Sequence, residues 1–237
     1  MVLAEGYRPG NPSRGVGQSL CLCHNRAHRQ RRRSPTSSME SRAPASAESS
    51  PSLLRRSARA VLKSIGWKSV LVPLPGPQGI VVVYPHTSNW DFIIGVLYKI
   101  GVSLRVRWVG KHTLFRWPFR RLFVRLGGVP IRRNQRSGFV DAVLAEFARG
   151  DPMWLAVTPE GTRSHTSAWK SGFYRIALAA DLPIGLGYID YATRTIGIDT
   201  YIKLTGDVAA DFARIRAFYK DKRGRRPENA GDIRLQP

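Results

Sequence analysis

Five short apolar runs punctuate the chain, at 80 to 84, 104 to 109, 129 to 131, 153 to 157 and 184 to 189. Each has the length of a strand rather than a helix and is bounded by glycine, proline or polar residues. The segments between them carry apolar residues at helical spacing. Glu146 to Pro152 contains a helix stop, with Gly150 as the cap and Pro152 just beyond. Strands alternating with helices predict an α/β fold: a mostly parallel sheet flanked by helices on both faces.

An N-terminal amphipathic helix precedes this pattern. Between Leu53 and Trp67, the residues Leu54, Ala58, Val61, Leu62 and Ile65 fall along one helical stripe, with Arg55, Arg56, Arg59 and Lys63 elsewhere around it. Such a helix fits two places equally: the headgroup plane of a membrane, or a docking face on the domain. The chain therefore divides into a disordered or non-native extension over 1–50, an amphipathic membrane-surface helix over 51–75 and a catalytic domain over 76–237. The extension is rich in Arg, Ser, Pro and Gly. It reads either as a segment before a true start at Met39 or as an organelle transit peptide. Cys21, Cys23, His24 and His28 cluster there too tightly for a usual zinc site, so no metal is expected.

Composition supports one sizeable core, with 237 residues of which 43% are hydrophobic and 10% aromatic. A net charge of +22 requires an anionic partner. Its distribution favours an anionic membrane surface, because Leu114 to Phe123 interleaves large apolar groups with arginines. No stretch approaches the roughly twenty apolar residues of a spanning helix, which predicts a peripheral or monotopic protein on the cytoplasmic face. The reading from another class is a basic nucleic-acid-binding protein. No RNA-binding strand signature or finger spacing supports it, and nucleic acid is not expected as a partner.

The chemistry concentrates at strand ends. His86-Thr87-Ser88-Asn89-Trp90-Asp91 follows the run at 80 to 84 and delivers an imidazole and a carboxylate together, a general base with its orienter. Ser88 to Asp91 also fits a helix capping box, and the two readings are compatible. Thr158-Pro159-Glu160-Gly161-Thr162-Arg163-Ser164 follows the run at 153 to 157. Its glycine would let backbone approach an anion, and its arginine offers a planar fork of donors; the plainer reading is a surface turn. In an open α/β sheet both clusters could face one crevice. His165-Thr166-Ser167-Ala168-Trp169-Lys170 echoes the first cluster but puts lysine where Asp91 stands, so His165 reads as a loop residue and Lys170 as an anion contact.

Histidine-x4-aspartate, then Gly128-Val129-Pro130-Ile131-Arg132, then Pro159-Glu160-Gly161-Thr162-Arg163, in that order, resembles the glycerophospholipid acyltransferase family over roughly Ile80 to Ile189. The resemblance implies that His86 is the base and Asp91 its partner. It implies that Arg132, Glu160, Gly161, Thr162 and Arg163, with Lys111 adding charge, bind the acceptor's phosphate. It further implies an acyl thioester as co-substrate, acyl-CoA or acyl carrier protein, with no cofactor beyond it. The acceptor would be a lysophospholipid, foremost 1-acyl-sn-glycerol-3-phosphate, in phospholipid biosynthesis; another lyso-lipid or polar-lipid hydroxyl is the alternative. Leu182 to Tyr188 departs from the family pattern by keeping only the first of two prolines.

Overall fold

The computed structural model describes residues 52–131 and 136–236. Seven strands form one sheet: β1 (Lys68–Leu71), β2 (Gln78–Tyr84), β3 (Val106–Lys111), β4 (Gly128–Ile131), β5 (Met153–Val157), β6 (Ile184–Asp190) and β7 (Thr195–Ile202). Their order is β1-β7-β6-β2-β5-β3-β4, and every pairing is parallel except β6 with β7. The helices are α1 (Ser52–Ser64), α2 (Trp90–Gly101), α3 (Arg120–Arg125), α4 (Arg136–Ala148), α5 (Gly172–Ala179) and α6 (Val208–Tyr219).

The centre of the sheet explains the sequence pattern. Ile80, Val81 and Val82 of β2 are all buried, and their β-branched side chains suit a strand covered on both faces. Ile80, Val82 and Tyr84 join one core with Phe147, Phe173, Ile176, Phe212 and Tyr219, under α4, α5 and α6. Val81 joins the other core with Leu62, Trp67, Ile94, Tyr98 and Ile189, under α1 and α2. Tyr219 ties its own layer to the sheet by donating from its hydroxyl to the carbonyls of Val82 and Gly187 at 2.8 and 3.0 Å.

The five expected strands are all present, with ends shifted by up to two residues. The helix stop also forms: α4 ends at Ala148, and Gly150 adopts φ +78° while its N–H reaches Phe147 O at 3.0 Å. Two strands lie outside the sequence reading. β1 is only four residues long, and β7 interrupts its isoleucines with Gly197, Asp199 and Thr200, so neither shows as an apolar run. β7 needs no crossover helix because it returns from β6 through a tight turn at 191–194.

Helix α1 packs against α2. Ala58 and Leu62 are buried, and Arg59 Nε donates to Gly101 O at 2.6 Å. Leu54, Val61 and Ile65 of the same stripe stay exposed. The stripe is therefore split between a docked edge and an open one. Among the described residues no helix is long and apolar enough to cross a membrane.

Candidate active site

β2 and β5 are neighbours in register, with Val82 opposite Val157. Their carboxyl ends therefore release the two polar clusters side by side, at the place where open α/β sheets bind ligands. The end of β2 carries His86. Asp91 sits in the first turn of α2 and is 2% exposed. His86 Nδ1 lies 3.3 Å from Asp91 Oδ2, and the imidazole is 15% exposed. This contact fixes the tautomer that carries its proton on Nδ1 and leaves Nε2 as the basic nitrogen.

The helix cap and the dyad are one arrangement. Asp91 Oδ2 also accepts the N–H of Ser88 at 2.8 Å, as a capping-box carboxylate does, and Ser88 Oγ accepts the N–H of Trp90 at 3.2 Å. Asn89, at the N-cap position, makes no side-chain cap bond. The other oxygen, Oδ1, accepts the hydroxyl of Tyr191 at 2.7 Å. Burial alone would raise the Asp91 pKa. The hydrogen bonds from His86 and Tyr191, the charge of His86 and the Ser88 N–H outweigh it and hold the carboxyl below its ordinary value.

Glu160 has different surroundings from those expected of a phosphate-binding group. It is 2% exposed, and its two oxygens accept two backbone donors, His86 N at 2.9 Å and Gly231 N at 2.8 Å. Its carboxylate is thus a buried tether between the two motifs, held by N–H groups rather than turned towards an anion. Burial pushes its pKa up, the N–H groups of Gly231 and His86 pull it back only in part, and the charge of Asp91 adds to the rise. Both of its oxygens are therefore engaged by backbone N–H groups.

The neighbouring motif residues lie around an open cleft of about 430 Å³ lined by α2 and the sheet. His86 and Asp91 line it, and so do Lys111, Gly161, Thr162 and Arg163. Lys111, Thr162 and Arg163 are exposed, which places them towards its opening. Val81, Val83, Val106, Trp108, Ala156, Ile189 and Ile198 supply apolar wall, with Lys99, Thr113 and Thr158 among the polar residues of the lining. Gly161 takes φ +63°, a left-handed backbone that favours glycine, and the flexible end of Lys170 lies over the place where a Cβ would stand. Arg132 lies outside the described residues, as do Cys21, Cys23, His24 and His28. No group of three or more His, Cys, Asp or Glu able to hold a metal occurs among the described residues.

The echo motif ends elsewhere. His165 is exposed, and its Nε2 meets Asp232 Oδ1 at 3.3 Å, a partner distant in sequence. Several contacts around the candidate site are equally distant in sequence. Thr87 is buried and its Oγ1 accepts Arg226 N at 3.1 Å; Tyr84 donates from its hydroxyl to Gly231 O at 3.1 Å. A strap from Arg223 to Gly231 thus crosses both motifs. No sequence signal marks it, since its contacts are made by backbone groups and span 71 to 147 residues.

Residues 71–185 match the family described as Acyltransferase, a span that contains His86, Asp91, Lys111 and Glu160 to Arg163. Among solved structures the chain is similar to the crystal structure of the 1-acyl-sn-glycerophosphate (LPA) acyltransferase PlsC from Thermotoga maritima. The identity is 16%, covering 71% of this chain and 78% of that one, with a TM-score of 0.49. No curated protein matches the chain.

The pKa shifts give a signed expectation. Because the Asp91 value is depressed by folding, its ionised form stabilises the native state above the ordinary carboxylate range, and that contribution is lost as pH falls through the folded value. Glu160, raised by folding, works in the opposite sense and contributes at acid pH what is lost as pH rises. The stability advantage of the unaltered protein over Asp91→Asn will be constant above about pH 5 and will shrink below about pH 4. Urea midpoints measured across that range check this, and an advantage independent of pH would refute it.

Proposed function

We propose that this acyltransferase domain moves a fatty acyl group from an acyl thioester to the hydroxyl of a lysophospholipid, 1-acyl-sn-glycerol-3-phosphate foremost. The single observation that carries the reading is the His86–Asp91 pair on the wall of an apolar cavity whose opening carries Lys111, Thr162 and Arg163. The apolar part suits a fatty chain, the cations suit a phosphate, and the imidazole lies between those environments. Acyl-CoA and acyl carrier protein are both acidic donors that a chain of net charge +22 would attract. Acylation of a different lyso-lipid hydroxyl would keep His86 and Asp91 in the same roles and change only what the cations at the opening hold.

In this mechanism His86 Nε2 removes the acceptor's hydroxyl proton as the oxygen attacks the thioester carbonyl. The new C–O bond creates a tetrahedral oxyanion, whose collapse breaks the C–S bond, and the departing thiolate takes the proton back from the imidazolium. Asp91 stabilises that imidazolium and holds its ring in place. The substrate supplies the nucleophile, so no enzyme serine or cysteine enters, and the chemistry calls on no group beyond the co-substrate thioester.

We further propose that the protein works on an anionic membrane surface. Trp117 is 91% exposed, and Leu114, Phe119, Leu122 and Val124 are exposed around it. Arg116, Arg120, Arg121 and Arg125 of the same segment are exposed as well. Phe123 anchors this segment against Phe92, Trp108 and Phe115 at 5.7 to 6.0 Å, so the exposed groups project from a fixed base next to the cavity. The open edge of α1 adds Leu53, Leu54, Val61 and Ile65.

Three measurements test these readings. Labelled acyl-CoA and acyl carrier protein, offered with lysophosphatidate, will give product with the unaltered protein; His86→Ala will be slower by about 10²-fold or more while remaining folded. Equal rates would end the proposal. Gly95 lines the cavity from mid-helix, and a Cβ there would meet no atom within 4 Å. Gly95→Leu is therefore expected to slow transfer of long acyl chains more than short ones; an equal effect on both would remove the chain from this cavity. Vesicles containing anionic lipid will retain the protein at physiological salt, and Trp117→Ala will weaken that retention. Retention by single-stranded nucleic acid alone would reverse the membrane assignment.

A further inference from the structure

Asp91 is held at both oxygens, and the second holder comes from outside the stretch that matches the acyltransferase family. Oδ2 meets Ser88 N and His86 Nδ1, while Oδ1 receives, among the described residues, the hydroxyl of Tyr191 at 2.7 Å. Tyr191 follows the last residue of β6 and lies beyond the matched span of 71–185. Its position is fixed from three sides. Its N–H donates to Arg223 O at 2.8 Å. Its ring stands edge-on to Trp67, with centroids 4.9 Å apart at 89°. The turn it opens is pinned by Asp190, whose carboxylate accepts from Ala192 N, Thr193 Oγ1 and Arg223 N at 3.1, 2.6 and 3.1 Å.

A carboxylate is free to turn about its last torsion, which is broad and two-fold. If Asp91 turned, the oxygen that faces His86 would move and the ring would lose its orienter. We propose that Tyr191 is a positioning residue for the acyl transfer: its hydroxyl clamps Oδ1 so that Oδ2 stays turned to His86 Nδ1. The proposal rests on the reading of His86 as the base. The phenol donates a neutral hydrogen bond to the anion, and it is well suited to remain a donor because burial and the neighbouring Asp91 push its own pKa above the ordinary tyrosine value. The charged and titratable groups that act on this clamp are His86 and Glu160 about Asp91, and Arg225 beside the Tyr191 hydroxyl.

The test uses the full chain with Tyr191→Phe, which keeps the ring against Trp67 and removes only the hydroxyl. The expected result is a fall in kcat of about 10-fold to 100-fold with KM for donor and acceptor unchanged. The acidic limb of kcat/KM will move to higher pH, because Asp91 loses a bond that favours its ionised form. In an Asp91→Asn background the same change will add no further loss, since the hydroxyl acts through that carboxylate. Carbon NMR of the Asp91 carboxyl, read without any substrate, will show its titration midpoint raised in Tyr191→Phe. An unmoved midpoint with unchanged kcat would overturn the clamp, as would a loss of equal size in both backgrounds. If instead His86→Ala retained full activity, the acyl-transfer reading would fail while the Asp91 midpoint still decided whether the clamp exists.

Discussion

The candidate site is held together by a buried carboxylate whose two oxygens are taken by backbone donors. Glu160 joins three parts of the chain: its own loop after β5, the backbone N–H of His86 after β2, and the N–H of Gly231 in the strap. Removing a charge from water is unfavourable unless donors replace the lost solvent. Two backbone donors do so here, and because they belong to distant segments the need to satisfy them draws those segments together. Asp91 follows the same logic with Ser88 N, Tyr191 and His86 as its donors. The pair of carboxylates is pushed in opposite directions, Asp91 downwards and Glu160 upwards, because the donors outweigh burial at the first and not at the second.

The sheet turns this local demand into a reactive geometry. Parallel neighbours send both motifs out at the same edge, and α2, which starts at the dyad, runs back across the sheet as the cavity's lid. One face of β2 is committed to the core beneath α4, α5 and α6, while the other contributes Val81 and Val83 to the cavity wall. Gly95 costs α2 roughly 1 kcal/mol relative to alanine, and in exchange leaves open space where a side chain would stand. Lys99 projects into the same cavity from α2, with its pKa lowered by burial and its Nζ donating to Leu126 O.

The dyad was legible because both members sit on six consecutive residues beside an apolar run, and local spacing is what a sequence displays. Gly161 stands in an equally local motif, and it adopts a left-handed φ of +63°. The contacts of Glu160 with His86 N and Gly231 N were not legible, since motif membership does not tell which way a side chain turns. Tyr191, Thr87 with Arg226, and Gly231 were hidden by their separations, 100 residues for Tyr191 to Asp91 and 139 for Arg226 to Thr87. β7 escaped because antiparallel pairing lets a strand be half polar. The stripe on α1 was recognised as amphipathic, and only part of it docks, with Ala58 and Leu62 buried and Leu54, Val61 and Ile65 exposed.

The strap has a kinetic consequence. Tyr84 to Gly231, Thr87 to Arg226 and Glu160 to Gly231 are contacts of very high sequence separation, and closing such large loops is entropically slow before any reward arrives. β2, β5 and β6 can pair, and bury Ile80, Val82 and Ile184, before the strap is laid down. During that interval the local Ser88–Asp91 cap can already form, while Glu160 still lacks its Gly231 donor. Closing the strap therefore carries a larger entropic cost than forming the Ser88–Asp91 cap, which spans three residues where Thr87 and Arg226 span 139.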